Sequence, residues 1–411
     1  MRIENGLACF FNLLRWMFLA LGAGLVVFGL NLTTLWLRIS ILVVGILLIS
    51  LGLNLVWWYL RPNTAKVNSN LQIESWDVVK DEQHNSNTDL IRWGSYFYLV
   101  HAISPFHFAN THCQLVLRRS PDARTWKTLA HISSPGEDIR DPKLAVIHDR
   151  LYLYALVNNS FDPEPYTTVY TCSQDGGVTW LPLTRLEHEG WLFWKPKTID
   201  GLTWYAAAYW HEHGKSALFS STDGVNWQFI SAIYEQGHRN DETDIEFLPD
   251  GSMLVTARLE GDFREGGYGM FFGHPAGGTL IASAVPPYMH FDSRAISPLT
   301  RLDGPALFTY AGRVFAVGRL QPELSEPFKR QGSIIARKRT AIFEVKIDRL
   351  VWLSDVPSAG DTAYAGVALH NGFLYFSYYT SPIRRDYPWI VGMFNPTAIC
   401  IARVELNRLV A

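Results

Sequence analysis

Charged residues make up only 18% of this 411-residue chain, yet they recur at corresponding places along it. Arg140, Asp141 and Lys143 open one apolar run. Lys195 and Lys197 open the next, and Glu242, Asp244 and Glu246 the one after. Arg301 with Asp303, and Asp361 with Tyr364, open two more. A second series closes the runs that follow: His101, Asn158, Tyr209, Arg258, Arg319 and Tyr379. Carboxylates among cations and tyrosines suit hydrolysis of a glycosidic bond, which needs a proton donor and a nucleophile or base on opposite sides of that bond. Close carboxylates drive their pKa values apart, so that one keeps its proton. Asp141, between Arg140 and Lys143, is the expected acid/base, with Asp244 or Asp361 as its replacement. Glu242 or Asp244 can attack or activate directly. Arg258 and Arg319 are expected to clamp an acidic group bidentately. Arg140, Lys143, Lys195, Asp303 and Tyr379 complete the expected ligand contacts.

Each residue also has a plainer reading. Asp89 and Asp303 suit capped turns. Lys195 and Lys197 suit a solvated surface. Arg258 and Arg319 suit salt bridges to carboxylates of an adjacent repeat, and Tyr364 suits simple packing.

The elements that must position these residues form a repeat. A polar start, a short strand, a tight turn and an aromatic strand recur from Thr88, Asp141, Lys195, Thr243, Asp303 and Asp361, about 50 to 60 residues apart. Pro249-Asp250-Gly251 and Asn371-Gly372 are typical turns. Further strand-like runs, such as CQLVLRR and GSIIARKRTAIFEV, give four strands per repeat. Radial repetition at this period predicts an all-β, six-bladed propeller over residues 88–411, with five or seven blades open to a different ring closure. Residues 62–87 read as a connector with an outer strand, LQIESWDVV. In a propeller, inner strands start on one face and second strands return to it, so both charged series should converge at one mouth of the axis.

Three turns carry a second motif. Ser173 to Trp180 reads S-x-D-x-G-x-T-W, and Ser120–Trp126 and Ser221–Trp227 are shorter variants. The Asp caps backbone N–H groups and the Trp packs between blades, between the third and fourth strands. With these Asp-box turns in a six-blade pattern, the chain resembles the sialidase (neuraminidase) superfamily from about Thr88 onward. RDPKL at Arg140, ETDIEFLPDG at Glu242, GPALF at Gly304 and DTAYAGVAL at Asp361 look like blade starts of bacterial sialidase-like proteins. The resemblance implies an arginine triad, an Asp acid/base and a Tyr–Glu nucleophile pair, here Tyr364 with Glu242. The usual Arg-Ile-Pro of the first blade is absent, and Ile91-Arg92-Trp93 is the nearest piece.

Upstream, Trp16 to Leu37 and Ile39 to Leu60 are uncharged, 22 residues each, and Arg38 divides them. Each is long enough to cross a bilayer. They predict a transmembrane hairpin over residues 1–61, turning near Thr33–Arg38. Gly22, Gly24, Gly29, Gly45 and Gly52 should allow close packing, with Trp57, Trp58 and Tyr59 at the interface. Arg2, Arg15, Arg61 and Lys66 flank the spans against Arg38 in the turn, which predicts cytoplasmic termini and a cytoplasmic propeller. Three scattered soluble cysteines agree with a reducing compartment. The net charge of -2 gives no polybasic signal, so no nucleic-acid partner is expected. No cofactor is expected. No metal is expected either, because His211 and His213 lack a partner motif. The expected partners are a saccharide or glycoconjugate and the lipid bilayer. The rival class is a non-catalytic propeller that binds a glycan, lipid headgroup or protein.

Overall fold

Alternating apolar runs joined by turns that demand positive φ build hairpins, and the hairpins here build a ring. Asn371 and Gly372 have φ of 48° and 78°, the paired left-handed geometry of a tight two-residue hairpin. Asp250 caps Ser252 N–H at 2.9 Å beside Gly251. In the computed structural model these hairpins form six sheets, each four strands deep, arranged as a six-bladed β-propeller. The structure describes residues 4–411 apart from 161–164, 236 and 263–268, and apart from the side chains of 4–12, 59, 262, 269 and 270. Arg2 and the Tyr59 side chain therefore lie outside the described residues.

The inner strands of blades one to six are His84–Trp93, Asp138–Ile147, Trp191–Phe193, His238–Phe247, Asp303–Tyr310 and Thr362–His370. Blade three is the irregular one: its inner edge breaks after Phe193 and resumes at Lys197–Thr198. The outermost strand of blade six is Glu74–Val79, paired with Ala398–Glu405. A strand from before the first repeat thus closes the ring. The core lies in wedges between adjacent blades. Phe308, Phe315 and Phe376 share one wedge, and Leu90, Phe97 and Ile401 another.

The motif turns sit between third and fourth strands. Asp175 accepts N–H groups of Val178 and Thr179 at 3.0 and 2.9 Å. The Thr179 hydroxyl and backbone bonds hold its carboxyl well below the usual range. Asp122 and Asp223 cap their turns in the same way. Trp227 is buried between blades two and three, whereas Trp180 is only half-buried between blades one and two.

Two helices precede the ring, α1 (Glu4–Leu30) and α2 (Leu35–Leu60), and they pack as a hairpin. A Cβ on Gly22 would lie 2.8 Å from Gly45 O, and one on Gly52 would lie 2.7 Å from Leu19. Gly24 faces away, with nothing within 4 Å. Both helices are long and apolar enough to cross a membrane. The turn falls at Asn31–Thr34, earlier than expected, so Arg38 sits in the first turn of α2. The shift follows from α2 starting at Leu35, with the Arg38 N–H already bonded to Thr34 O at 2.9 Å.

Candidate active site on the ring axis

One irregularity, repeated around the ring, creates the site. Inner-strand pairing slips after Ser86, Arg140, Asn240, Asp303 and Ala363, leaving two residues unpaired each time. Such bulges re-aim side chains. Here Asn87, Asp141, Gly304 and Tyr364 all take the left-handed backbone at equivalent positions, with φ of 47°, 50°, 60° and 49°. Pro142 and Pro305 follow two of them, where a missing N–H costs no ladder bond. Gly304 is required twice over. Its φ suits glycine, and a Cβ would sit 2.8 Å from the Tyr364 ring.

Tyr364 Oη donates to Glu242 Oε1, and both residues are buried. Arg258 Nη1 lies 2.9 Å from the same oxygen, while Gly304 N–H donates to Oε2 at 2.5 Å. Burial pushes the Glu242 carboxyl up to about 7, against the pull of Arg258 and with help from Asp241, Asp303 and Asp141. Burial and Glu242 likewise push the Tyr364 phenol well above its ordinary value. The Arg319 guanidinium sits 5.1 Å from the Tyr364 ring centroid.

Asp303 gathers three arginines. Arg301 Nε donates at 2.7 Å, Arg319 Nη1 at 3.4 Å, and Arg258 Nη1 lies 3.7 Å away. Burial alone would raise its carboxyl, but Arg301, Arg258 and Arg319 outweigh burial and hold it low. Arg258 is also bidentate on Asp241. Arg319 further bonds Thr362 O, Asp361 and the Tyr379 hydroxyl at 2.8, 3.2 and 2.9 Å. Both arginines are therefore held in salt bridges in place of free clamps: Arg258 chiefly by Asp241 and Glu242 of its own blade, with Asp303 of the next blade at 3.7 Å, and Arg319 by Asp303 of its own blade and Asp361 of the next. Burial alone would also raise Asp361, but His107 at 2.7 Å, His84 and Arg319 hold its carboxyl far below the usual range. Tyr379 and Trp389 donate to its other oxygen.

The structure brings Glu242, Tyr364, Arg258, Asp303, Arg319, Asp361 and Tyr379 into one connected network. Arg140 joins through the His107 carbonyl at 3.1 Å, and Asp141 accepts a bond from Asn87. Asp244 and Lys195 do not join. They lie further along their chains, at the opposite opening of the axis, a cavity of about 290 Å³. There Lys197 bonds Asp244 at 3.1 Å and Lys195 bonds Asp89 at 2.7 Å. Neither lysine is a solvated surface group. Asp244 is two residues beyond Glu242, which places it below the bulge. Between the two openings Trp194 crosses the axis to Pro305 O at 2.9 Å, and Lys143 lies 3.9 Å from its ring centroid. Arg92 bonds Gly94 O at the far end of its strand, away from the site.

His84, His107, Asp241, Glu260 and Trp389 went unread in the sequence. His107 and Trp389 come from long connections with no repeat register. Asp241 and Glu260 were legible as neighbours of Glu242 and Arg258. Among the described residues, two groups could hold a cation by proximity, His84–His107–Asp361 and His213–Asp241–Glu260, each with ligand atoms within 4.8 Å of one another. No spacing motif announces either, because the fold alone assembles them. In both, an arginine already shares the carboxylate, Arg319 on Asp361 and Arg258 on Asp241.

No family model and no curated protein matches the sequence. Solved structures do. A Dyadobacter fermentans protein of unknown function is similar at TM-score 0.60 and 15% identity, over 81% of this chain and 99% of its own. An endosialidase of phage phi92 is similar at TM-score 0.61 and 9% identity, over 82% and 69%. A mutant Trypanosoma rangeli sialidase with trans-sialidase activity follows at 0.58 and 12%, over 84% of this chain and 61% of that one. This is a sialidase-like propeller fold. The match spans about three fifths of the trypanosomal chain, and at these identities it establishes architecture alone.

Proposed function

We propose that the protein is a membrane-anchored glycoside hydrolase, exo-acting and sialidase-like, for a polar or acidic sugar. The observation that carries this reading is the buried Tyr364–Glu242 hydrogen bond on the ring axis. A phenol is a poor nucleophile until a base takes its proton. Glu242, with its carboxyl near 7, is poised to do so around neutral pH. The phenolate oxygen attacks the anomeric carbon while Asp141 protonates the departing oxygen. Water, deprotonated by Asp141, then displaces Tyr364, which recovers its proton from Glu242. Arg258 and Arg319 stabilise the charge that develops on the phenolate. The sugar-cleaving proteins that share this fold support the reading. A glycoside screen tests it. The wild-type chain should cleave at least one glycoside, and Tyr364→Phe should lose about 10²-fold or more in turnover while still binding the sugar.

One observation favours a non-catalytic glycan-binding propeller: Arg258, Arg301 and Arg319 are already neutralised by Asp241, Asp303 and Asp361. Sugar binding unchanged in Tyr364→Phe, with no cleavage by wild type, would decide for it. We also propose that α1 and α2 span the bilayer with both termini cytoplasmic. Release by carbonate wash would refute the spans, and external activity of a phosphatase fused after Ala411 would refute the sidedness.

A further inference from the structure

The chain leaves α2 on the same face of the ring as the Tyr364–Glu242 site. Second strands return to that face, so the connections between second and third strands lie on it. In blades five and six those connections run through residues 321–338 and 381–397. The end of α2 is stitched directly to them. Arg385 Nη1 donates to Leu60 O at 3.0 Å and Asp386 N–H to Arg61 O at 3.0 Å. Thr64 Oγ1 bonds both Asp386 and Arg337, at 3.1 and 2.8 Å. Three residues past Asp386, Trp389 reaches the site carboxylate of Asp361 at 2.7 Å. The membrane-side end of the hairpin is thus tied to the rim of the site by a short, hydrogen-bonded path rather than a free tether.

That rim is also apolar at its tips. Phe328, Leu324, Phe271 and Ile383 are 56%, 52%, 61% and 46% exposed on connections of blades four to six. Arg384 and Arg385, next in sequence to Ile383, are exposed, which suits an anionic lipid surface. Exposed apolar tips occur on the far face too, at Leu202, Val285 and Ile347, but no anchor emerges there.

We propose that the site face rests on the bilayer that holds α1 and α2, and that the site takes the polar head of a membrane-borne glycolipid. The glycolipid substrate rests on the hydrolase reading; the docking does not. The test uses the full chain in phosphatidylcholine–phosphatidylglycerol vesicles, with Cys9→Ser and a fluorophore on one new cysteine. Phe328→Cys and Ile347→Cys report opposite ends of blade five. The label at 328 should shift to the blue and be quenched by brominated lipid, and the label at 347 should stay aqueous. The reverse, or two aqueous labels, overturns the docking. Tyr364→Phe should leave both signals unchanged. Diacylglycerol-linked monosaccharides in those vesicles should then be cleaved about tenfold faster or more than the same sugars as soluble methylumbelliferyl glycosides, through their local concentration at the site. Equal or faster cleavage of the soluble forms overturns the substrate class. An embedded label at 328 with neither form cleaved upholds the docking and removes the hydrolase reading instead.

Discussion

At the scale of single residues, the site is a set of buried charges that hold one another in place. Glu242 is the titrating member. Its folded pKa lies above its unfolded value because burial disfavours the carboxylate. In the base role proposed for it, Glu242 works ionised, so kcat/KM should rise with pH through an acid limb near 7. Glu242→Gln should remove that limb along with most turnover, and a profile flat from pH 5 to 8 would reject the assignment. The same shift has a stability consequence of opposite sense. Between the unfolded pKa and about 7, the folded state holds a proton that the unfolded state has released. Glu242 therefore stabilises the fold fully below its unfolded pKa, and that contribution fades as pH rises through about 7. Asp303 is a different case, since three arginines converge on it. Asp303→Ala should cost about 3–5 kcal/mol, because it leaves buried cations uncompensated. Urea denaturation measures it, and a loss under 1 kcal/mol would mean that water or Asp361 takes over the arginines.

At the scale of elements, the repeat was legible and the bulge was not. Alternation, the Asn371-Gly372 turn and the aromatic second strands identify four-stranded blades because those signals are local. Convergence of Glu242, Arg258, Arg319 and Tyr364 followed from strand direction alone. The inner-strand bulge depends on backbone φ, which the sequence hints at only through Pro142, Gly304 and Pro305 inside apparent strands. Missing it put Asp244 in the same mouth as Glu242, although the two lie at opposite openings. The bulge can be tested at Gly304. Gly304→Ala must strain a left-handed backbone and press Tyr364 from 2.8 Å. Turnover should fall more than stability, whereas a wild-type rate would separate Tyr364 from the chemistry. The motif turns give a second contrast. Trp227→Ala should cost about 3–5 kcal/mol, the usual loss for a buried tryptophan. Trp180→Ala should cost clearly less, since that side chain is only partly buried. Equal losses in denaturant would show that the caps, rather than burial, carry these turns.

At the scale of the whole molecule, closure is the decisive event. Glu74–Val79 pairs with Ala398–Glu405, joining the start of the ring to its end. Bringing ends this far apart together costs roughly 5 kcal/mol in chain entropy, since the cost grows only logarithmically with loop length. Several local contacts repay it. Glu74 lies 2.7 Å from Arg403, and Trp76 Nε1 donates to Ala123 O in blade one at 2.9 Å. Leu90 and Ile401 share the apolar wedge between the first and last blades. The closing strand also covers the edge of Ala398–Glu405, which would otherwise offer unpaired N–H and C=O groups to another chain. A chain beginning at Pro62 keeps this strand and loses only the hairpin, so it should unfold cooperatively as a monomer. A chain beginning at Gln83 keeps every residue of the axial site but loses the strand. It should unfold at clearly lower urea and associate through the bared edge, as sedimentation would show. If both chains were equally stable monomers, the blade-one to blade-six wedge would be closing the ring unaided, and the strand before the first repeat would serve only to lead the chain from α2 to blade one.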